Sequence, residues 1–161
     1  YEILFQEVGM SCDAKKISEK YEDFLGEGHY FIPGAKELLE DLSKKYHLYL
    51  ASNGAVKVQM SRIQSAGIEK YLEKIFLSEQ IGYEKPSPQF FEKCFAQIPD
   101  FKKEEALILG DSLTSDIRGG KNAGILTVWF HPSGKKVEEE IVPDYEIGKL
   151  EELKTILSFY S

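Results

Sequence analysis

Cysteine is scarce in this sequence, with only Cys12 and Cys94 among 161 residues. Their wide separation matches neither a metal-knuckle spacing nor a disulfide framework, so we expect two reduced thiols. The sequence also lacks any run of about 18 consecutive apolar residues, which a membrane-spanning helix requires, and any signal-peptide pattern. These absences predict a soluble cytoplasmic protein that does not partner a membrane.

Positive charge is also in short supply. The 20 lysine and arginine residues are outnumbered by 27 aspartates and glutamates, which gives a net charge of −7. Because proteins that bind the phosphate backbone normally carry a basic excess, we expect no nucleic acid polymer as a partner. His29, His47 and His131 show no metal-ligand spacing and are assigned to packing or to the surface. Trp129 ends an apolar run and is expected in the core.

What the sequence does contain is typical of one ordinary globular domain. Apolar residues make up 42% of the chain and charged residues 29%, which is enough to build a packed core. Short, continuous apolar runs alternate with amphipathic helical patterns, as in a sheet whose strands are buried on both faces. We predict strands at residues 47–51, 75–78, 106–109 and 125–130, and a further short segment at residues 145–147. We predict helices beginning near Asp13, Pro33, Val56, Pro88, Asp116 and Leu150. The alternation predicts an α/β fold, with a three-layer, Rossmann-like parallel sheet.

Three loops follow predicted strands and carry polar or charged residues, at 52–54, 82–86 and 110–116. In parallel α/β sheets, ligands bind beyond the carboxyl ends of the strands. We therefore expect any chemistry of this protein at these three loops.

The loop at 110–116 carries two carboxylates, Asp111 and Asp116. Both could point at one spot above the sheet edge, where oxygen-only ligands suit Mg²⁺. The alternative is that Asp116, with Ser112 or Thr114, merely caps the following helix.

The other two loops offer groups that suit a phosphoryl oxygen. Ser52 and Asn53 provide a hydroxyl, an amide and the backbone N–H groups of a turn, although Asn-Gly is also a common ordinary turn. Lys85 precedes Pro86 and Pro88, which stiffen the chain around it, and a fixed ammonium would neutralise a phosphate. The alternative for Lys85 is a solvated surface lysine.

The order of these three loops resembles that of the haloacid dehalogenase (HAD) superfamily of phosphohydrolases. Ser52-Asn53 is similar to the second motif of the family, Lys85-Pro86 to the third, and residues 110–116 to the fourth. The resemblance covers about residues 30–157. Within the superfamily, residues 29–35, 51–54 and 108–117 look most like the phosphatases that act on pyrimidine nucleoside 5′-monophosphates.

This resemblance implies both an architecture and a reaction. Residues 1–26 would be the C-terminal part of a small helical cap, and residues 27–161 a HAD-like α/β core that lacks its first strand. The complete protein would be a Mg²⁺-dependent phosphomonoester hydrolase that forms an aspartyl phosphate and acts on small phosphorylated metabolites, nucleoside 5′-monophosphates first among them. We expect a monomer or a dimer.

The resemblance also implies a role for each motif residue. Asp111 and Asp116 would hold Mg²⁺, the latter directly or through water. Ser52 and Asn53 would bind the phosphoryl oxygens, and Lys85 would bridge the substrate and the nucleophile, with Ser52 and Lys85 as the catalytic residues.

The sequence departs from the family at the first motif, because no Asp-x-Asp pair occurs anywhere in it. In the family the first of these aspartates is the nucleophile and the second is the general acid and base. We therefore predict that the 161 residues are the C-terminal part of a longer protein. Two alternatives stay open: a sugar-phosphate mutase or hydrolase of other small phosphates on the same scaffold, and a non-catalytic phosphate-binding domain.

Overall fold

The computed structural model describes residues 2–9, 11–134 and 140–160, and it shows helices alternating with parallel strands. The strands are β1 (Tyr49–Ser52), β2 (Lys74–Leu77), β3 (Leu107–Gly110), β4 (Leu126–Phe130) and β5 (Tyr145–Ile147). The helices are α1 (Glu2–Glu7), α2 (Ala14–Gly26), α3 (Ala35–Leu42), α4 (Val56–Ala66), α5 (Ser78–Ile81), α6 (Pro88–Phe95), α7 (Arg118–Ala123) and α8 (Leu153–Leu157). In the described part of the chain, no helix is long and apolar enough to cross a membrane.

The strands form two separate parallel sheets. In one, β1 pairs with β2, and Ser52 lies opposite Leu77. In the other the order is β3-β4-β5, and Gly110 lies opposite Trp129. Among the described residues no backbone ladder joins β1 to β3. The predicted α/β fold with parallel strands is confirmed. The single predicted sheet, however, is interrupted between β1 and β3.

Alternate side chains of β3 pack against two apolar clusters, one on each face of the sheet. Leu107 and Leu109 pack against the first cluster, in which α3 and α8 cover β4 and β5. Ile108 packs against the second, which α6 and α7 build around Phe76 and Phe90. Because a strand sends successive side chains to opposite faces, this division requires helices on both faces of the sheet. The arrangement explains why the predicted strands read as continuous apolar runs.

Helix α7 is preceded by one turn of π-helix, Leu113–Ile117, so the helical structure begins three residues before the predicted start at Asp116. The Ser112 carbonyl accepts from the backbone N–H groups of Asp116 and Ile117, and the Ser112 hydroxyl accepts from Ser115 N–H at 3.2 Å. Ser112 is therefore the N-cap, as one of the alternatives held. Asp116 lies inside the helical turn, so its carboxylate is available for other contacts.

The second helix, α2, packs on α4 of the core. Asp13 is its N-cap, because the Asp13 carboxylate accepts from Lys16 N–H at 3.0 Å. At its other end, the Ser61 hydroxyl donates to the Gly26 carbonyl at 2.9 Å. Lys57 and Asp23 add an exposed ion pair at 2.5 Å. These contacts attach α2 to the core, and the identification of residues 1–26 as part of a cap stays a prediction.

Asp144 ties the segment before β5 to β4. Its carboxylate accepts from the backbone N–H and hydroxyl of Thr127, at 2.8 and 2.7 Å, and from Lys121 Nζ at 2.5 Å. Burial raises the pKa of Asp144, but the hydrogen bonds from Lys121 and Thr127 outweigh burial and hold the pKa below its ordinary value. The charged carboxylate therefore stabilises the fold at neutral pH, and this contribution disappears as pH falls through the lowered pKa.

Asp144→Ala is expected to reduce the free energy of unfolding at pH 7 by about 1–3 kcal/mol, because charged hydrogen bonds to Thr127 and Lys121 are lost. The difference from the wild type should begin to shrink as the pH falls below the ordinary aspartate pKa of about 4, and it should be lost once the pH passes the lowered pKa of the native carboxyl. Urea denaturation at several pH values measures both effects. Glu92→Ala, at an exposed helical position, is the control. An Asp144→Ala deficit of constant size at every pH would contradict the role of the charge.

Candidate active site

Lys85 is the point at which the three predicted loops meet. Its ammonium donates to the Asp116 carboxylate and to the Ala51 carbonyl, both at 2.6 Å. Only 8% of the Lys85 side chain and 9% of the Asp116 side chain are exposed. Lys85 is therefore not a solvated surface lysine. Its buried ammonium links the end of β1 to the helical turn that follows β3.

Asn53 fixes the backbone of Lys85 from both sides. Its amide Nδ2 donates to the Lys85 carbonyl, and its Oδ1 accepts from Lys85 N–H, both at 2.8 Å. The Lys85–Pro86 peptide bond is cis. Asn53 thus positions Lys85 in this structure, and the phosphoryl-binding role expected for its amide stays a prediction.

Ser52 lies at the carboxyl end of β1, beside the Ala51 carbonyl that Lys85 contacts, and it is half-buried. The turn that follows it is held by residues that follow β2. Gly54 N–H donates to the Ser78 hydroxyl at 3.2 Å, and Val56 N–H donates to the Glu79 carboxylate at 2.6 Å. These bonds fix the backbone after Ser52 relative to α5, which follows β2.

The two aspartates differ in environment. Asp116 is buried, and its two carboxylate oxygens accept from Lys85 Nζ and from Ser112 N–H, the latter at 3.1 Å. Asp111 is exposed, and within the described ranges its carboxylate is bonded to no protein donor. Asp111 is therefore free to bind a ligand, whereas Asp116 has only its remaining lone pairs to offer.

The donor set fits Mg²⁺ better than a metal that needs a full protein cage. No group of three or more His, Cys, Asp or Glu side chains suited to a metal occurs among the described residues. Mg²⁺ is usually bound by one or two carboxylates and keeps several waters or substrate oxygens. Asp111 and Asp116, at the end of one strand, provide that number of carboxylates.

Glycine allows the elements of the site to approach closely. A Cβ at Gly110 would lie 2.3 Å from the Cβ of Asp116, and one at Gly119 would lie 2.5 Å from the Phe91 ring. Any side chain at these positions would push Asp116 or α7 away. For Gly119, the available sequence signal was the Gly119-Gly120 pair inside a predicted helix, because glycine in a helix otherwise only destabilises it.

Trp129 is the residue whose role sequence reasoning missed. It lies in the core as predicted, with 8% exposure, but its indole Nε1–H donates to the Asp111 carbonyl at 2.9 Å. A tryptophan at the end of a strand beside the site was the available signal, because a buried indole N–H needs an acceptor.

The sequence matches the family model of haloacid dehalogenase-like hydrolases over residues 1–130. The chain belongs to this family. It is 42% identical to the HAD-hydrolase YfnB of Bacillus subtilis over 158 residues, covering 98% of this chain and 67% of YfnB. It is 37% identical to the pyrimidine 5′-nucleotidase PynA of Streptococcus pneumoniae over 151 residues, covering 93% of this chain and 64% of PynA.

Solved structures agree with this HAD family assignment. The crystal structure of YfnB bound to magnesium superposes with a TM-score of 0.88, covering 96% of this chain and 68% of that one. The chain thus spans about two thirds of the length of these relatives. The predicted resemblance to the superfamily is confirmed, and relatives named as pyrimidine 5′-nucleotidases support the branch to which we compared it.

Proposed function

We propose that the full-length protein is a Mg²⁺-dependent phosphomonoester hydrolase that forms an aspartyl phosphate, and that its substrates are nucleoside 5′-monophosphates. The observation that carries this proposal is the buried Lys85–Asp116 pair, which gathers three strand-end loops around one ammonium. A buried ion pair stabilises a fold only weakly, so a role in binding or catalysis accounts for this pair better than stability does.

Each site residue has a role in this proposal. Lys85 neutralises the phosphoryl group and the nucleophilic carboxylate, and Asp116 and Asn53 hold it in place. Ser52 donates to a phosphoryl oxygen. Asp111 and Asp116 hold Mg²⁺, which supplies further positive charge beside the transferring group. Catalysis then consists mainly of positioning and charge neutralisation, as in phosphoryl transfer generally.

The nucleophile, we propose, comes from a strand that lies between β1 and β3 and belongs to a segment outside residues 1–161. The support is the gap between the two sheets. Every residue of β1 and β3 is only partly buried, whereas four of the five residues of β4 are buried. A strand in the gap would pair the free edges of β1 and β3, and its carboxyl end would lie beside Lys85.

The substrate class rests on relatives. PynA and YjjG of Escherichia coli, the latter 28% identical over 148 residues, are both named pyrimidine 5′-nucleotidases. Other relatives are named as phosphatases of ribulose 1,5-bisphosphate or glyceraldehyde 3-phosphate. Cleavage of a phosphate monoester is common to all these names, and the preference for nucleotides is the finer part of the proposal. The cytoplasmic location and the monomeric or dimeric state also stay predictions.

Phosphate release from a panel of pyrimidine and purine nucleoside 5′-monophosphates and sugar phosphates tests the proposal. The full-length protein is expected to prefer the pyrimidine nucleotides, and EDTA should reduce the rate by about 100-fold or more. The 161-residue chain alone is the matched control and should give only background release, because it lacks the nucleophile. Undiminished release in EDTA, or full activity of the 161-residue chain, would contradict the mechanism.

The same panel separates the alternatives. Conversion of a sugar phosphate to its isomer without phosphate release would favour a mutase. Binding of phosphate esters without turnover by the full-length protein would favour a non-catalytic domain.

A further inference from the structure

We propose that Trp129 is a positioning residue for Asp111, and that its indole N–H orients the loop that binds Mg²⁺. This inference rests on the proposed function, because it takes Asp111 as a metal ligand. The structure otherwise gives Trp129 only the role of a core side chain beside Leu113 and Ile117.

The hydrogen bond from Trp129 follows from strand register. Trp129 lies opposite Gly110 in the ladder between β4 and β3, so its side chain is directly beside the point where Asp111 leaves the strand. The indole N–H then reaches the Asp111 carbonyl at 2.9 Å. Because Trp129 is buried, losing this acceptor would leave a costly unpaired donor.

The indole ring is itself held in place by His131, which follows β4 and contacts Glu146 of β5. His131 stacks on it, with 3.9 Å between ring centroids and 18° between the ring planes. The His131 ring contacts the Glu146 carboxylate through Nδ1 at 2.8 Å and the Ser133 hydroxyl through Nε2 at 2.6 Å. The Trp129 ring therefore lies between His131 and the apolar side chains of the turn after β3.

The consequence for Asp111 is a fixed backbone beneath an otherwise unrestrained carboxylate. Its side chain is exposed and bonded to no donor in the described ranges, so the direction of the carboxylate depends on the backbone. Anchoring the Asp111 carbonyl sets that direction before the metal binds. Groups that orient metal ligands in this way typically change metal affinity about 10- to 100-fold when they are removed.

The chain also offers a direct spectroscopic probe, because Trp129 is the single tryptophan of the 161 residues. An indole hydrogen-bonded to the metal-binding loop should change its emission when Mg²⁺ binds there. The difference between the spectra of the wild type and Trp129→Phe isolates the Trp129 signal even if other segments of the full-length protein contain tryptophan.

The experiment titrates Mg²⁺ into the full-length protein and its variants. Trp129→Phe keeps an aromatic ring in the core but removes the donor, and 3-benzothienylalanine at position 129 keeps the indole shape if phenylalanine prevents folding. Both are expected to raise the half-saturating Mg²⁺ concentration at least about 10-fold. The KM for substrate at saturating Mg²⁺ should change by less than about twofold. Wild-type emission should respond to Mg²⁺, and Asp111→Asn should abolish the response.

Val128→Ala is the control, because it removes buried volume from the neighbouring position of β4 on the other face. It is expected to lower stability without moving the Mg²⁺ dependence. If the half-saturating Mg²⁺ concentration is unchanged in both Trp129 variants while the activity of the wild type depends on Mg²⁺, the positioning role is overturned. Activity of the wild type without Mg²⁺ would instead overturn the proposed function, so the two failures are distinguishable.

Discussion

Lys85→Met is expected to reduce kcat/KM for phosphate release by the full-length protein about 100- to 1000-fold, the effect of removing one preorganised charge from a transition state. The same substitution should destabilise the 161-residue chain by about 3–5 kcal/mol, because Asp116 would be left as a buried, unpaired carboxylate. Methionine keeps most of the lysine stem, so the loss reflects the ammonium and its bonds to Asp116 and the Ala51 carbonyl.

Two further variants identify the cause. Lys36→Met, at an exposed position of α3, should change neither activity nor stability. Lys85→Met combined with Asp116→Asn removes the unpaired charge, so it should recover part of the lost stability while activity stays low. Urea denaturation and phosphate release measure the two effects separately. If the double variant is as unstable as the sum of the single ones, the pairing of Lys85 with Asp116 is not the source of the destabilisation.

The parts of the fold that the sequence predicts well are those governed by local chemistry. Apolar runs and the turn residues between them predicted the first four strands, with bounds shifted by one or two residues, as in residues 47–51 against Tyr49–Ser52. The helix predicted to begin near Asp13 is confirmed, with Asp13 as its N-cap. The π-turn at Leu113–Ile117 could not be predicted, because it depends on two N–H groups sharing the Ser112 carbonyl.

The site divides in the same way. Strand-end loops in a parallel sheet meet at one edge, so the proximity of Lys85 and Asp116 follows from topology. The partners of individual polar atoms do not follow, because they depend on tertiary placement. The bonds of the Asn53 amide to the Lys85 backbone are one example, and its expected bonds to phosphoryl oxygens stay a prediction. The Trp129 bond to Asp111 depends on strand register, which the sequence alone does not specify.

Gly110→Ala is expected to inactivate the full-length enzyme, with a loss in kcat of about 100-fold or more, comparable to removal of a transition-state contact. The new Cβ would lie 2.3 Å from the Cβ and 2.4 Å from the Cγ of Asp116. The nearest of these atoms, the Asp116 Cβ, is fixed to the backbone, so no rotation of the side chain relieves the clash and the helical turn itself must move. The Asp116 carboxylate would shift with the turn, so its bonds to Lys85 and Ser112 N–H would be displaced from their native positions rather than lost.

The stability of Gly110→Ala should fall by only about 1–3 kcal/mol, as in other overpacked cores, so the variant is expected to fold while inactive. Gly120→Ala is the matched control, because its Cβ would clash with Ile108 and Thr127 at 2.5 and 2.7 Å rather than with Asp116. It should be destabilised to a similar degree and keep its Mg²⁺ dependence. Gly148→Ala, whose nearest neighbour is 3.9 Å away, should behave as the wild type. Normal turnover and normal Mg²⁺ half-saturation in folded Gly110→Ala would mean that the position of Asp116 does not matter to the reaction, and the proposed metal site would then have to be rebuilt around Asp111 alone.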